Sequence, residues 1–297
     1  MGIPNREGRQ EIIKKRASAL FFDVIDFSVR KLLRFFCYAN VISPFRGISH
    51  TYTAKKIAGS ICMHSYIDFL ALFGVGSAHP GGFALTKQLL TLLPLNSNTK
   101  VLDLGCGTGR TAVYIAKQYG CQVTALDYHP VMIEKAKRRI LQENVNIELV
   151  HGNAEQLPFA DESFDVIITE SVIAFTNISR TLSQLYRVLR KRGYVAGTEM
   201  TIERPLYAQE YDHIRKLYGA AQYLTEQQWH EHFTKQGFQR VDVIHRDTVA
   251  TAQYEWTSEW DISANISQSL YEIWEQHEKI LALYGHVLGH RVFRCQK

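Results

Sequence analysis

The chain has 297 residues, 46% hydrophobic and 21% charged, enough for two domains or for one domain with large insertions. Its net charge of +5 is uneven: residues 1–60 hold eleven Lys and Arg against four Asp and Glu, the rest 23 against 25, and a near-neutral body excludes a protein-wide nucleic-acid-binding surface. No run of about 18 apolar residues is present, and Cys37, Cys62, Cys106, Cys121 and Cys295 show no CxxC spacing, which excludes a spanning helix and disfavours a disulfide framework or zinc site. A reducing cytoplasm is the expected compartment.

In chain order, a helical stripe through Ile12, Ile13, Leu20, Val24, Phe27, Leu32 and Phe35 predicts one or two basic N-terminal helices. Residues 40–59 are turn-rich. Short helices are expected over 62–73, ended by Gly74, and over 83–93, separated by the loop Gly76-Ser-Ala-His-Pro-Gly-Gly82. From Lys100 the pattern alternates strand and helix. Strands are expected at 101–104, 122–126, 146–150, 164–169 and 194–199, and helices at 111–119, 130–142 and 178–190, the last closed by Gly193. Such alternation specifies a parallel sheet covered on both faces. A helix at 225–236, strands at 240–245 and 291–295, and a long helix near 262–284 complete the reading. Residues 204–222 and 248–289 read as insertions above the carboxyl ends of the strands.

The chemistry concentrates in Val101-Leu-Asp-Leu-Gly-Cys-Gly-Thr-Gly-Arg110, a buried strand running through Gly105, Gly107 and Gly109 into a helix. Glycines there let the backbone turn tightly and approach a ligand, and the helix presents free N–H groups. A dinucleotide fingerprint would place its third glycine at 110, which is arginine. Asp103 would repel a pyrophosphate and suits a ligand carrying an amine and a sulfonium. Asp127 ends the next strand, 18 residues beyond Gly109, where an acid can accept both ribose hydroxyls. His151-Gly-Asn-Ala-Glu-Gln-Leu-Pro-Phe159 and Phe164-Asp-Val-Ile-Ile-Thr-Glu170 follow the third strand and form the fourth.

These five ordered motifs resemble those of class I S-adenosylmethionine-dependent methyltransferases, most closely the quinone- and small-molecule-methylating branch. The resemblance covers residues 83–200 well and extends loosely to the terminal strand pair. It implies an α/β, Rossmann-like sheet of seven strands with the last antiparallel, a domain over 83–297, and a helical N-terminal extension with a cofactor-covering loop over 1–82. It also implies S-adenosyl-L-methionine as cofactor. By resemblance Asp103, Gly105 and Gly107 hold the methionine part, within a loop that includes Cys106 and Gly109. Asp127 binds the ribose, Tyr128 and Met132 pack on the adenine, and Asn153 and Ala154 read it. The common pattern has Asp where Asn153 stands; an Asn carbonyl can still accept from the adenine amino group.

Glu170, at the tip of the fourth strand, is a candidate base or a ligand of the cofactor amine; both roles stay open. His79 is a second candidate base or a structural loop histidine. Thr86 could bind the cofactor carboxylate or start its helix, and Glu199 is a further candidate base. Cys106 has no residue to activate it as a nucleophile. Tyr254, Trp256 and Trp260 are expected to pack a lid rather than cage a cation. No metal ligand cluster is visible. Thr169-Glu-Ser-Val172 stands where an Asn-Pro-Pro-Tyr-type tetrapeptide would, by resemblance, mark amide or base-nitrogen methylation.

The expected activity is methyl transfer to a small-molecule acceptor with no nucleic-acid partner. A quinone or prenyl lipid at a membrane surface, a non-catalytic S-adenosylmethionine-binding protein and a nicotinamide oxidoreductase are the alternatives. The basic segment 1–60 is expected to pack on its own domain or pair subunits, with peripheral contact to an anionic membrane as the alternative.

Overall fold

A computed structural model describes residues 64–250 and 260–297. The basic segment 1–60, Cys37, Cys62, Tyr254 and Trp256 lie outside the described residues. Seven strands form one sheet in the order β3-β2-β1-β4-β5-β7-β6. They are β1 Lys100–Leu104, β2 Gln122–Asp127, β3 Ile147–His151, β4 Phe164–Glu170, β5 Leu189–Ile202, β6 Arg240–Thr248 and β7 Leu288–Gln296. β1 to β5 run parallel, and β7 inserts antiparallel between β5 and β6. The expected Rossmann-like topology is therefore present. The strand order reverses between β1 and β4, and this switch point opens a crevice at their carboxyl ends.

Before the sheet come α1 (Tyr66–Phe73) and α2 (Gly82–Leu90). Among the strands lie α3 (Arg110–Tyr119), α4 (Pro130–Gln142), α5 (Ile178–Val188), α6 (Ala208–Tyr218), α7 (Glu226–Gln236) and α8 (Gln268–Tyr284). Local chemistry explains most boundaries. Ser65 and Asp68 form a reciprocal capping box at the start of α1, and Gly74 closes it in the left-handed conformation. Pro130 occupies the first turn of α4 behind His129, whose ring nitrogen accepts from the Val131 N–H.

Two expectations fail at element ends. The helix expected over 178–190 stops at Val188 because Leu189 is already extended and pairs with Phe164. Gly193 lies within β5 and is no helix cap. A Cβ there would sit 2.7 Å from the Asp165 carbonyl oxygen, so the glycine serves close strand approach. The long C-terminal helix starts at Gln268, after Ser267, rather than at residue 262.

Apolar side chains fill both faces of the sheet. One face packs Leu102, Leu104 and Ile167 against α5 and α7, where Trp229 and Phe233 are almost fully buried. Each such burial contributes about 1.5–3 kcal/mol, and the Trp229 indole N–H is satisfied by the Met200 carbonyl at 2.9 Å. The other face packs Val101, Val123 and Ile168 against α2, α3 and α4. A third cluster lies above the strand tips. Tyr66, Phe69 and Phe73 of α1 meet Ile214, Leu217 and Tyr218 of α6 and Leu270 and Ile280 of α8. This cap roofs the crevice at the switch point.

Candidate active site

The β1–α3 turn is set by its glycines. Gly105 and Gly107 have φ of 68° and 54°, a region that side chains with a Cβ rarely occupy. A Cβ on Gly105 would collide with the Val172 side chain, whereas one on Gly107 would meet nothing within 4 Å because it faces open space. The Gly105 and Cys106 N–H groups donate to the Leu126 carbonyl at 2.7 and 3.0 Å. The turn is thereby pinned to the tip of β2.

Asp127 ends β2 and holds the same turn from its side chain. Its two carboxylate oxygens accept the Gly107 and His129 N–H groups, each at 2.8 Å. Burial raises its pKa from the ordinary value, and the two backbone donors oppose the rise. Asp103 has less support, from the Ala112 N–H in the first turn of α3. It is 3% exposed, and Oδ2 has no hydrogen-bond partner among the described residues. Burial first, and then the charge of Glu170, pushes its pKa well above the usual carboxylate range. A buried carboxylate oxygen without a donor, beside a second acid, fits a ligand that brings a positive charge.

Glu170 lies across the switch point. Oε1 accepts from the Thr86 hydroxyl at 2.5 Å and faces His79 Nε2 at 3.2 Å; Oε2 accepts from the Thr111 hydroxyl at 2.9 Å. His79 Nδ1 lies 3.1 Å from the Pro80 carbonyl, and Nε2 lies 3.1 Å from Thr86 Oγ1. The two candidate bases thus touch each other, and Thr86, inside α2, joins them. Together they fasten the loop before α2 to the tip of β4.

Glu199 is placed differently from expectation. It is 1% exposed and outside the cavity lining. It accepts the N–H groups of Val172, Ile173 and Ala174 at 3.0–3.3 Å, holding the short helical turn Ile173–Phe175. Burial raises its pKa to about 7 despite those donors. It positions Val172 against Gly105 and does not face the reacting space.

One cavity of about 520 Å³ gathers these groups. Asp103, Gly105, Cys106, Gly107, Asp127, Tyr128, Met132, Asn153, Ala154, Glu170 and His79 all line it. Gly109 does not; it caps α3, and a Cβ there would press on Ala136 of α4 at 3.2 Å. Met132 and Ala154 are buried, whereas Tyr128 is 71% exposed at the rim. Asn153 Oδ1 already accepts from the Glu155 N–H at 2.8 Å. The Cys106 thiol is pushed well above its ordinary range by burial and by Asp103 and Asp127, which suits an inert position. Trp260 packs against Phe73 and Trp274, as expected for a lid residue.

Several lining residues carry no motif. Ser77 and Ser171 have left-handed backbones, and both hydroxyls are buried with no partner among the described residues. Tyr66, Phe175, Met200, Tyr218, Val249, His277, Leu281 and Leu288 form the far end of the cavity. Their convergence depends on how α1, α6 and α8 pack.

A seven-stranded sheet with an antiparallel β7, a glycine turn at the switch point and acids at three strand tips define a class I methyltransferase site. A family model described as a methyltransferase domain matches residues 101–193. The chain is 34% identical over 235 residues to the uncharacterized methyltransferase YodH of Bacillus subtilis, covering 79% of this chain and all of the relative. It is also 34% identical over 114 residues to demethylmenaquinone methyltransferase of Listeria monocytogenes, covering 37% of this chain and 48% of that one. Among solved structures, Haemonchus contortus phosphoethanolamine N-methyltransferase 2 in complex with S-adenosyl-L-methionine superposes with a TM-score of 0.62 at 19% identity, over 80% of this chain and 58% of that one. The chain belongs to the class I S-adenosylmethionine-dependent methyltransferases and is an enzyme that uses S-adenosylmethionine. No helix among the described residues is long and apolar enough to cross a membrane.

Proposed function

We propose that this methyltransferase acts on a small, uncharged acceptor with an apolar ring body, enclosed between the strand tips and the cap helices. The observation behind this reading is a single cavity with two unlike ends. One end carries Asp103, Asp127 and Glu170, and the other is walled by Tyr66, Phe175, Tyr218, Leu281 and Leu288. Among the described residues Arg110 is the one Lys or Arg in the lining, and its guanidinium lies 4.1 Å from the centre of the Phe83 ring. Among the described residues, therefore, no Lys or Arg marks the aromatic end for an anionic acceptor.

Bound S-adenosylmethionine supplies an electrophilic methyl group on a sulfonium. The chain's task is to align it with the acceptor and to manage one proton. Asp103 and Glu170 hold the ammonium group, whose charge answers the unpartnered Asp103 oxygen. Asp127 retains lone pairs beyond its two backbone donors and takes the ribose hydroxyls. Met132 and Ala154 enclose the adenine with Tyr128 at the rim, and the Asn153 carbonyl keeps one lone pair for its amino group.

His79 is the group to receive an acceptor proton. Nδ1 faces the Pro80 carbonyl and carries the N–H of the neutral ring, which leaves Nε2, beside Glu170, as the atom that takes the proton. Once protonated it has Glu170 Oε1 as its counter-charge at 3.2 Å. Glu170 thus serves the cofactor amine and the imidazolium rather than acting as the base.

A second reading, methylation of a quinone or prenyl lipid at a membrane surface, draws on the resemblance to Listeria demethylmenaquinone methyltransferase. Release of S-adenosylhomocysteine across phenols, quinols, amines, carboxylates and phosphomonoesters separates the readings. Turnover confined to neutral ring compounds supports an enclosed apolar acceptor. Turnover that requires a prenyl tail and lipid vesicles supports the second reading. Preference for a carboxylate or phosphomonoester overturns both.

A further inference from the structure

The aromatic end of the cavity contains a polar pair that the cofactor motifs do not use. Tyr218, the last residue of α6, and His277, in the middle of α8, meet with the phenol oxygen 3.0 Å from imidazole Nδ1. Both line the cavity. Tyr66 of α1 completes the group: its ring is edge-on to Tyr218 at 4.8 Å and lies 5.4 Å from the His277 ring. Three separate helices thus place one imidazole and two phenol rings around the same space.

The hydrogen-bond inventory of His277 is unequal. Nδ1 is taken by Tyr218, whereas Nε2 has no hydrogen-bond partner among the described residues. A phenol is the stronger donor and an imidazole the stronger acceptor, so the shared proton stays on Tyr218. The neutral ring then carries its own N–H on Nε2. Burial keeps the ring neutral, lowering its pKa to about 4. The ring packing and the Tyr218 bond fix its plane. A neutral, oriented donor in an apolar wall recognises an uncharged oxygen; it offers no counter-charge to an anion.

We propose that Tyr218 and His277 form an acceptor-orienting pair, in which Tyr218 fixes the tautomer of His277 and Nε2–H donates to a carbonyl or hydroxyl oxygen of a flat, uncharged acceptor lying against Tyr66. This rests on the enclosed apolar-acceptor reading above and adds the residues that would orient such an acceptor and the group they recognise. The pair acts by positioning: it aims the acceptor's nucleophilic atom toward the glycine turn and leaves the proton to His79.

The test uses the full-length protein saturated with S-adenosylhomocysteine and three probes of similar shape, 1-tetralone, 1-naphthol and 1-naphthyl phosphate, with binding followed by calorimetry. The neutral probes are expected to bind saturably and the phosphate at least about tenfold more weakly. His277→Phe keeps an aromatic ring but removes the donor, and is expected to weaken 1-tetralone about tenfold, the upper range for one neutral hydrogen bond. His277→Gln, whose amide restores an N–H donor, is expected to recover most of that loss, which a purely structural role would not explain. Tyr218→Phe is expected to have an intermediate effect. S-adenosylhomocysteine affinity should stay within about twofold in all three variants, confirming that each is folded. Unchanged 1-tetralone affinity in His277→Phe, or no recovery in His277→Gln, overturns the pair while leaving the apolar-acceptor reading in place. Failure of both neutral probes, or preference for the phosphate, overturns that reading and the pair with it.

Discussion

The two ends of the cavity are built by opposite strategies. The cofactor end comes from one continuous stretch, Asp103 to Glu170, in which each functional residue sits at a strand tip or in the turn after it, save Met132 in the first turn of α4. The acceptor end comes from Tyr66, Met200, Tyr218, Val249, His277 and Leu288, on three helices, two strands and the connection after β6. The first depends on backbone shape and charge, and the second on side-chain packing. Substitutions at the cofactor end should therefore abolish a shared step, whereas those in the cap should change selectivity.

The largest effect that would sharpen this contrast is expected from Gly105→Val. The new side chain would strike Val172 from a left-handed backbone position. Calorimetry should show S-adenosylmethionine affinity falling by more than about 100-fold, well beyond the loss of a single hydrogen bond. Retained affinity would mean that the turn is not the cofactor's seat. Next comes Asp103→Asn, which removes the buried charge at nearly constant shape. A loss of about 10–100-fold in cofactor affinity is expected, the range for a charged hydrogen bond; an unchanged value would show that no cation faces Asp103.

Leu281→Arg should act in the reverse direction. A cation in the apolar end should raise acceptor KM about tenfold or more while cofactor affinity holds within about twofold. Equal losses for both ligands would dissolve the distinction between the ends. Smaller again is the effect of His79→Gln, which keeps a donor and an acceptor but cannot hold the proton. Turnover should fall while cofactor affinity changes by less than about threefold.

Glu199 supplies the most specific measurement. Its folded pKa of about 7 lies above the unfolded value of 4.5. Its contribution to stability is therefore fully present below about pH 4.5 and is lost as pH rises toward about 7. Thermal unfolding at several pH values should show this decline in the wild type and its absence in Glu199→Gln. A matching decline in the variant would assign the proton to another group.

The contrast also explains which site residues were legible before the structure. Gly105, Gly107 and Asp127 stand at fixed offsets from strands recognisable by their apolar runs, and the structure brings them together as those offsets require. Glu170 and His79 were legible as separate candidates, but their 3.2 Å approach was not, because 91 residues separate them and Thr86 is their link. Glu199 shows the converse error. Its place at a strand tip suggested chemistry, and only the three N–H groups of residues 172–174 reveal a structural anchor. Gly193 similarly looked like a helix cap because a glycine after a helical stripe usually is one. The Leu189–Phe164 pairing overrode that local preference.

By itself the sequence determined the alternating α/β order, the glycine turn and the acids that surround it. These follow from hydrophobic period, backbone sterics and short offsets along the chain, all of which are local. Only the tertiary structure decided that α1, α6 and α8 roof the crevice and that Tyr66, Tyr218 and His277 meet there. Such contacts join residues far apart in sequence, and no periodicity records which faces of distant helices will share one core.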